Sequence, residues 1–123
     1  MKRVVITCFA AAVLAACGGN DSKDTKPGTK EDISANPDYQ KGLDLVAKNK
    51  CMTCHAIDQV VTGPAYREVA KKYANSPDTI ISHLAGKIIS GGNGIWGQLF
   101  MTPHPDLSKD DAEAMVKYIL LLK

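Results

Sequence analysis

The chain has 123 residues, 45% of them hydrophobic and 23% charged, which fits one small globular domain and excludes a disordered chain. Fifteen Lys and Arg face thirteen Asp and Glu, and without Lys2 and Arg3 at the start thirteen face thirteen. So neutral a balance leaves no footprint for nucleic acid and no strong electrostatic steering toward a charged partner.

Met1-Lys2-Arg3 is a short basic start, and the uncharged apolar run over residues 4–13 is too short for a permanent membrane-spanning helix. That order, closing on small residues, is the order of a secretory signal peptide. Leu14-Ala15-Ala16-Cys17 resembles the lipobox of bacterial lipoproteins, which implies removal of residues 1–16 and lipidation of Cys17. Several acyl chains on one Cys satisfy the need for more than one lipid signal in stable anchoring. Cys8 leaves with the signal, so Cys51 and Cys54 are the thiols that remain in an exported chain. Residues 17–36 follow as a polar stretch with a single Ile, too little apolar surface to order itself. As a flexible tether it has a root-mean-square reach of about 25 Å. A folded domain is expected over residues 37–123, outside the cytoplasm and held near a membrane.

Four helices are predicted in that domain. Residues 37–49 place Tyr39, Leu43 and Val46 at three- and four-residue spacing on one face. Residues 64–73 open with Pro64, suited to a first helical turn, and align Ala65, Val69 and Tyr73. Ser76-Pro77-Asp78 reads as a helix start with Ser76 at the N-cap. Ile80, Ile81, Leu84 and Ile88 would form its buried face, and Gly91-Gly92 its end. Ser108 with Asp111 three residues on begins the last helix, whose apolar face is Ala112, Met115, Val116, Ile119 and Leu120. No stretch alternates as a strand does, so the expected fold class is all-α. The irregular stretches 55–63 and 91–107 are long for so small a domain, which points to loops with a function and to a buried cofactor that completes the core.

Cys51-Met52-Thr53-Cys54-His55 is the C-x-x-C-H pattern of covalent haem attachment. Two thiols three residues apart reach the two vinyl groups of one porphyrin, and the next residue offers an imidazole to the iron. Zinc would need two further Cys or His at similar spacing, and His83 and His104 form no such pair. A redox dithiol would need a βαβ setting, which the pattern lacks. The sixth iron ligand must come from elsewhere in the chain. Met1 is removed, Met52 sits inside the attachment loop, and Met115 falls on the core face of the last helix. His83 reads as a surface histidine. Met101, in the stretch Trp96-Gly97-Gln98-Leu99-Phe100-Met101-Thr102-Pro103, is the preferred ligand, with His104 as its rival.

Two further stretches carry a resemblance: residues 63–73, Gly-Pro-Ala-Tyr-Arg-Glu-Val-Ala-Lys-Lys-Tyr, and residues 91–97, Gly-Gly-Asn-Gly-Ile-Trp-Gly, leading to Met101. With C-x-x-C-H they resemble the small class I bacterial cytochromes c, which carry electrons to nitrite reductases and terminal oxidases. The resemblance spans the domain from about residue 37 onward. It implies about four helices around one haem c, a Pro64 carbonyl bonded to His55, Trp96 donating to a haem propionate, and Lys87 as a basic propionate partner. It also implies that Gly42 lets the first helix pack closely on the last, near Tyr118. The family usually surrounds its ligand Met with prolines, whereas Phe100 and Thr102 flank Met101 here and His104 replaces a common Asn.

An iron held by His55 and Met101 offers no open position to a substrate, so outer-sphere electron transfer between redox proteins is expected rather than catalysis. A thioether ligand and a buried ring raise the potential. Two other readings stay open: a haem subunit docked to one oxidoreductase, and an open-site peroxidase or gas sensor with a labile Met101.

Overall fold

The computed structural model describes residues 32–123. The signal, Cys17 and most of the tether expected from sequence lie outside the described residues. The last part of that tether stretch does adopt a structure. Ile33–Ala35 forms a short 3-10 turn capped by Asp32, and Gln40 Nε2 donates to the Ser34 carbonyl at 3.0 Å.

Helix α1 covers Pro37–Lys48. It starts where it does because the Asn36 side chain accepts from the Asp38 N–H at 2.9 Å and Pro37 stands at the first position, where no N–H is needed. Helix α2 covers Tyr66–Lys72, α3 Thr79–Ser90 and α4 Lys109–Leu121. Ser108 caps α4 as its sequence predicts, accepting from the Asp111 N–H at 3.1 Å.

Two helix starts differ from expectation. Pro64 is not in the first turn of α2. The backbone stays extended through Ala65, because the Tyr66 and Arg67 N–H groups donate to Ala56 and Ile57. Ser76 does not cap α3, because α3 begins only at Thr79, which puts Asp78 and not Ser76 at the cap position, and no side chain caps it; the Ser76 N–H closes the turn after α2 on Tyr73. The expected stripe Ile80, Ile81, Leu84 and Ile88 is only half-buried, and Ala85 is the fully buried residue of α3.

The four helices stand, but the domain is not purely α. Gly92–Gly94 (β1) and Gly97–Met101 (β2) form an antiparallel hairpin, with Gly92 opposite Met101 and Gly94 opposite Gly97. Its strands lack alternation because they pack on no second sheet or helix layer; most of residues 93–100 border the cavity described below.

Helix α4 is the centre of the molecule, packed on α1, α2 and α3. Val46, Tyr66, Met115, Tyr118, Ile119 and Leu122 form one buried cluster, and Ala85, Ala112 and Val116 a second. The α1–α4 crossing depends on Gly42. A Cβ there would overlap the Tyr118 Cβ and lie 2.5 Å from the Ala114 carbonyl oxygen, which is backbone and cannot turn away. Gly42→Ala should therefore push the two helices apart and lower stability by about 1–3 kcal/mol, the usual effect of overpacking. Thermal unfolding of the haem-loaded protein reads this directly, and an unchanged midpoint would refute the close approach.

Candidate functional site

Lys50, immediately before the motif, is the one described non-glycine residue with positive φ, at 56°. An αL conformation costs a non-glycine residue about 1–2 kcal/mol. It turns the chain out of α1 and straight into the 3-10 turn Cys51–Thr53, where the Thr53 N–H donates to Lys50 and the His55 N–H to Cys51. The motif therefore coils on itself, as the spacing of its two thiols requires.

The loop after it is sewn down by backbone bonds rather than by a core. The Thr62 and Gly63 N–H groups both donate to the Cys54 carbonyl, at 3.1 and 2.7 Å. Arg67 pairs with Asp58 across the loop and donates to the carbonyls of Leu122 and Lys123 at 3.0 Å, tying the loop to the end of α4.

His55 is held from three sides. Its Nδ1 lies 2.8 Å from the Pro64 carbonyl oxygen, so Nδ1–H donates and Nε2 keeps its lone pair for a metal. The Tyr66 ring stacks on it with centroids 5.2 Å apart and planes 17° from parallel. Gly63 closes the third side, where a Cβ would strike the imidazole, 2.8 Å from Nδ1. Sequence reasoning singled out Pro64 but gave Gly63 and Tyr66 no role, although both lie in the quoted Gly-Pro-Ala-Tyr stretch.

Beside this histidine is a cavity of about 700 Å³, within the 300–1,000 Å³ usual for ligand sites. Cys51, Cys54, His55, Pro64, Lys87, Trp96, Met101 and His104 all border it. Its remaining wall is largely apolar, with Val46, Leu84, Ile88, Val116 and Ile119 supplied by α1, α3 and α4. Met101, at the end of β2, is half-buried, as is His104. The His104 N–H donates to Ile88 and Ile89, at 3.2 and 3.1 Å, tying the chain after the hairpin back to the end of α3. Met115 borders the cavity from the core and is almost fully buried, whereas Met52 is exposed. His83 is exposed on α3 at the cavity's edge.

Burial raises the Cys51 thiol above its ordinary range. A nucleophilic dithiol needs the opposite shift. Burial likewise pushes the Tyr66 phenol up, reinforced by Cys51, so that it stays protonated against the imidazole. Among the described residues, no three His, Cys, Asp or Glu side chains converge as a cage for a bare metal ion.

Residues 39–123 match the family described as Cytochrome c. The chain belongs to the cytochrome c family. It is 44% identical over 84 residues to cytochrome c-552 of Nitrosomonas europaea, covering 68% of this chain and 81% of that one. Cytochrome c-551 of Azotobacter vinelandii is 39% identical over 84 residues, with 68% of this chain and all of the other covered. The crystal structure of the wild-type Nitrosomonas europaea cytochrome c552 superposes with a TM-score of 0.62 at 44% identity, covering 66% of this chain and 99% of that one. The small class I fold therefore holds. The cofactor is one covalent haem c, whose Cys-x-x-Cys attachment motif Cys51 and Cys54 fit. The protein is an electron carrier and not an enzyme.

The cavity independently fits such a group. Its lining is largely apolar, both thiols and the imidazole border it, and a thioether borders it from a separate element. No long apolar helix able to cross a membrane occurs among the described residues.

Proposed function

We propose that this cytochrome c is a membrane-tethered, extracytoplasmic shuttle that passes single electrons between redox proteins, with His55 and Met101 as its two axial ligands. The observation that carries this reading is the presence of both side chains on one cavity, brought there by different elements. Haem c supplies the one-electron chemistry. The chain's own residues supply its setting. Pro64 fixes the His55 tautomer, Gly63 and Tyr66 fix its plane, and the apolar wall excludes water from the ring. Trp96 and Lys87 border the same cavity and serve as the propionate partners. With both axial positions taken there is no place for a substrate, so electrons cross at the protein surface without bond making.

Carbon monoxide offered to the reduced protein separates this reading from an open-site sensor or peroxidase. The expected result is an unchanged spectrum, and rapid formation of a carbonyl complex would overturn the two-ligand assignment. Isolation as a stable complex with one oxidoreductase would favour the docked-subunit reading over a shuttle.

The tether belongs to the same proposal and rests on Leu14-Ala15-Ala16-Cys17. Cys17→Ser should move the protein out of the membrane fraction or leave its signal uncleaved. Wild-type protein recovered in soluble form, with an N-terminus later than residue 17, would remove the anchor from the proposal. Inner or outer membrane makes no difference to this outcome.

A further inference from the structure

The hairpin that carries Met101 has an unusual footing. Apart from the β1–β2 ladder itself, neither strand packs extensively on any helix. At its base it is tied by the Gly91 N–H to Lys87 and the His104 N–H to Ile88 and Ile89. Gly91, at φ 68°, lies where a Cβ would come within 2.9 Å of the Pro103 nitrogen, so the base is tightly closed. The tip has one observed tie to another element. Lys72, in the last turn of α2, places its Nζ 5.4 Å from the centroid of the Trp96 ring. Helix α2 and the hairpin flank the cavity, which both Val69 and Trp96 border.

We propose that Lys72 is a positioning residue: its cation–π contact with Trp96 clamps the hairpin tip to α2 and so keeps the flap bearing Met101 closed over the cavity. An ammonium over an indole face is attractive at this distance, and indole is the best of the aromatic faces for it. Trp96 is 43% exposed, so the contact has the strength of a partly solvated pair. That is weak against global unfolding but matters at the hairpin tip, where it adds to what the haem and Met101 supply at the cavity face, because local opening is governed by local contacts. The alternative role for Lys72 is to complement the α2 C-terminus, and Lys71 stands in the same turn with the same charge.

Amide hydrogen exchange over residues 94–101 of the haem-loaded protein tests the clamp. Lys72→Gln should speed that exchange about two- to fivefold, the range for a partly exposed pair. Lys72→Arg should keep the wild-type rate, since a guanidinium also stacks on indole, and Lys71→Gln should leave it unchanged. In a Trp96→Leu background, Lys72→Gln should have no further effect. A second measurement reads the flap's consequence: the rate at which added imidazole displaces the sixth ligand of the ferric protein should rise by the same factor in Lys72→Gln. The imidazole measurement rests on the Met101 assignment, whereas the exchange measurement does not. Wild-type protein without a thioether-to-iron band would overturn the ligand assignment and leave exchange to decide the clamp. Unchanged exchange in Lys72→Gln, equal acceleration by Lys71→Gln, failure of Arg to substitute, or an undiminished effect without the indole would each overturn it.

Discussion

Replacing Cys51 and Cys54 together with Ala should abolish covalently bound haem and most of the helical structure with it. The reason lies in how little of the core closes without the cofactor. The fully buried large side chains are Tyr118, Met115, Val46 and Val116, and three of these also border the cavity. The largely apolar wall that α1, α3 and α4 turn toward a cavity of about 700 Å³ packs on the haem, so losing the haem exposes that wall to water and takes away the group those helices close on. Far-UV circular dichroism reads the loss of helix, and acid-acetone extraction of the denatured wild type reads the covalent bond. Haem extracted freely from the wild type would overturn the attachment, and native helicity in the double variant would overturn the dependence of the core on it.

Met101→Ala should erase the weak far-red thioether-to-iron band of the oxidised protein and lower its potential. Axial-ligand identity sets haem potentials over about 0.8 V, and methionine stands at the high end. His104 is the replacement at hand. It is half-buried, borders the same cavity, and is tied by its N–H to α3 only three residues beyond Met101. An imidazole nitrogen offers a lone pair to iron, so His104 should take over the sixth position in Met101→Ala. The low-spin spectrum of that replacement should vanish in the Met101→Ala, His104→Ala double variant. A band that survives Met101→Ala would exclude Met101 as the ligand.

Prolines usually pre-organise a chain by restricting its unfolded freedom. Here Phe100 and Thr102 flank Met101, and both are exposed. The hairpin ladder and the Gly91 contact at its base take over part of that restraint. The pairing of Gly92 with Met101 fixes the backbone of Met101 directly. This gives the loss of flanking proline a structural compensation that the isolated loop sequence did not suggest.

Much of this protein could be read from short stretches of its chain. The attachment motif is a spacing of five consecutive residues. The starts of α1 and α4 are set by Asn36, Pro37 and Ser108 within three residues, and the buried face of α4 follows its periodicity, whereas Leu43 of the expected α1 face is exposed and Gly42 is buried in its place. Such features are local, and local chemistry is written in order along the sequence. The resemblance to class I cytochromes added Pro64 beside His55 and the narrow α1–α4 crossing at Gly42, and the structure shows both contacts.

What only the tertiary structure decided involves partners far apart in the chain or groups whose local signal was overruled. Ser76 carries a strong N-cap signal, yet it belongs to the turn after α2 and α3 begins only at Thr79. Pro64 could begin a helix, but the backbone bonds from Tyr66 and Arg67 to the preceding loop hold that segment extended. The hairpin has no alternating pattern to reveal it, because its residues border the cofactor cavity rather than a protein core and its register comes from cross-strand pairing. Tyr66 against His55, Lys72 over Trp96, and the gathering of Met101 and His104 around one cavity exist only once α2, α3 and the hairpin are placed around α4. Those positions depend on packing between faces, which no short window of sequence contains.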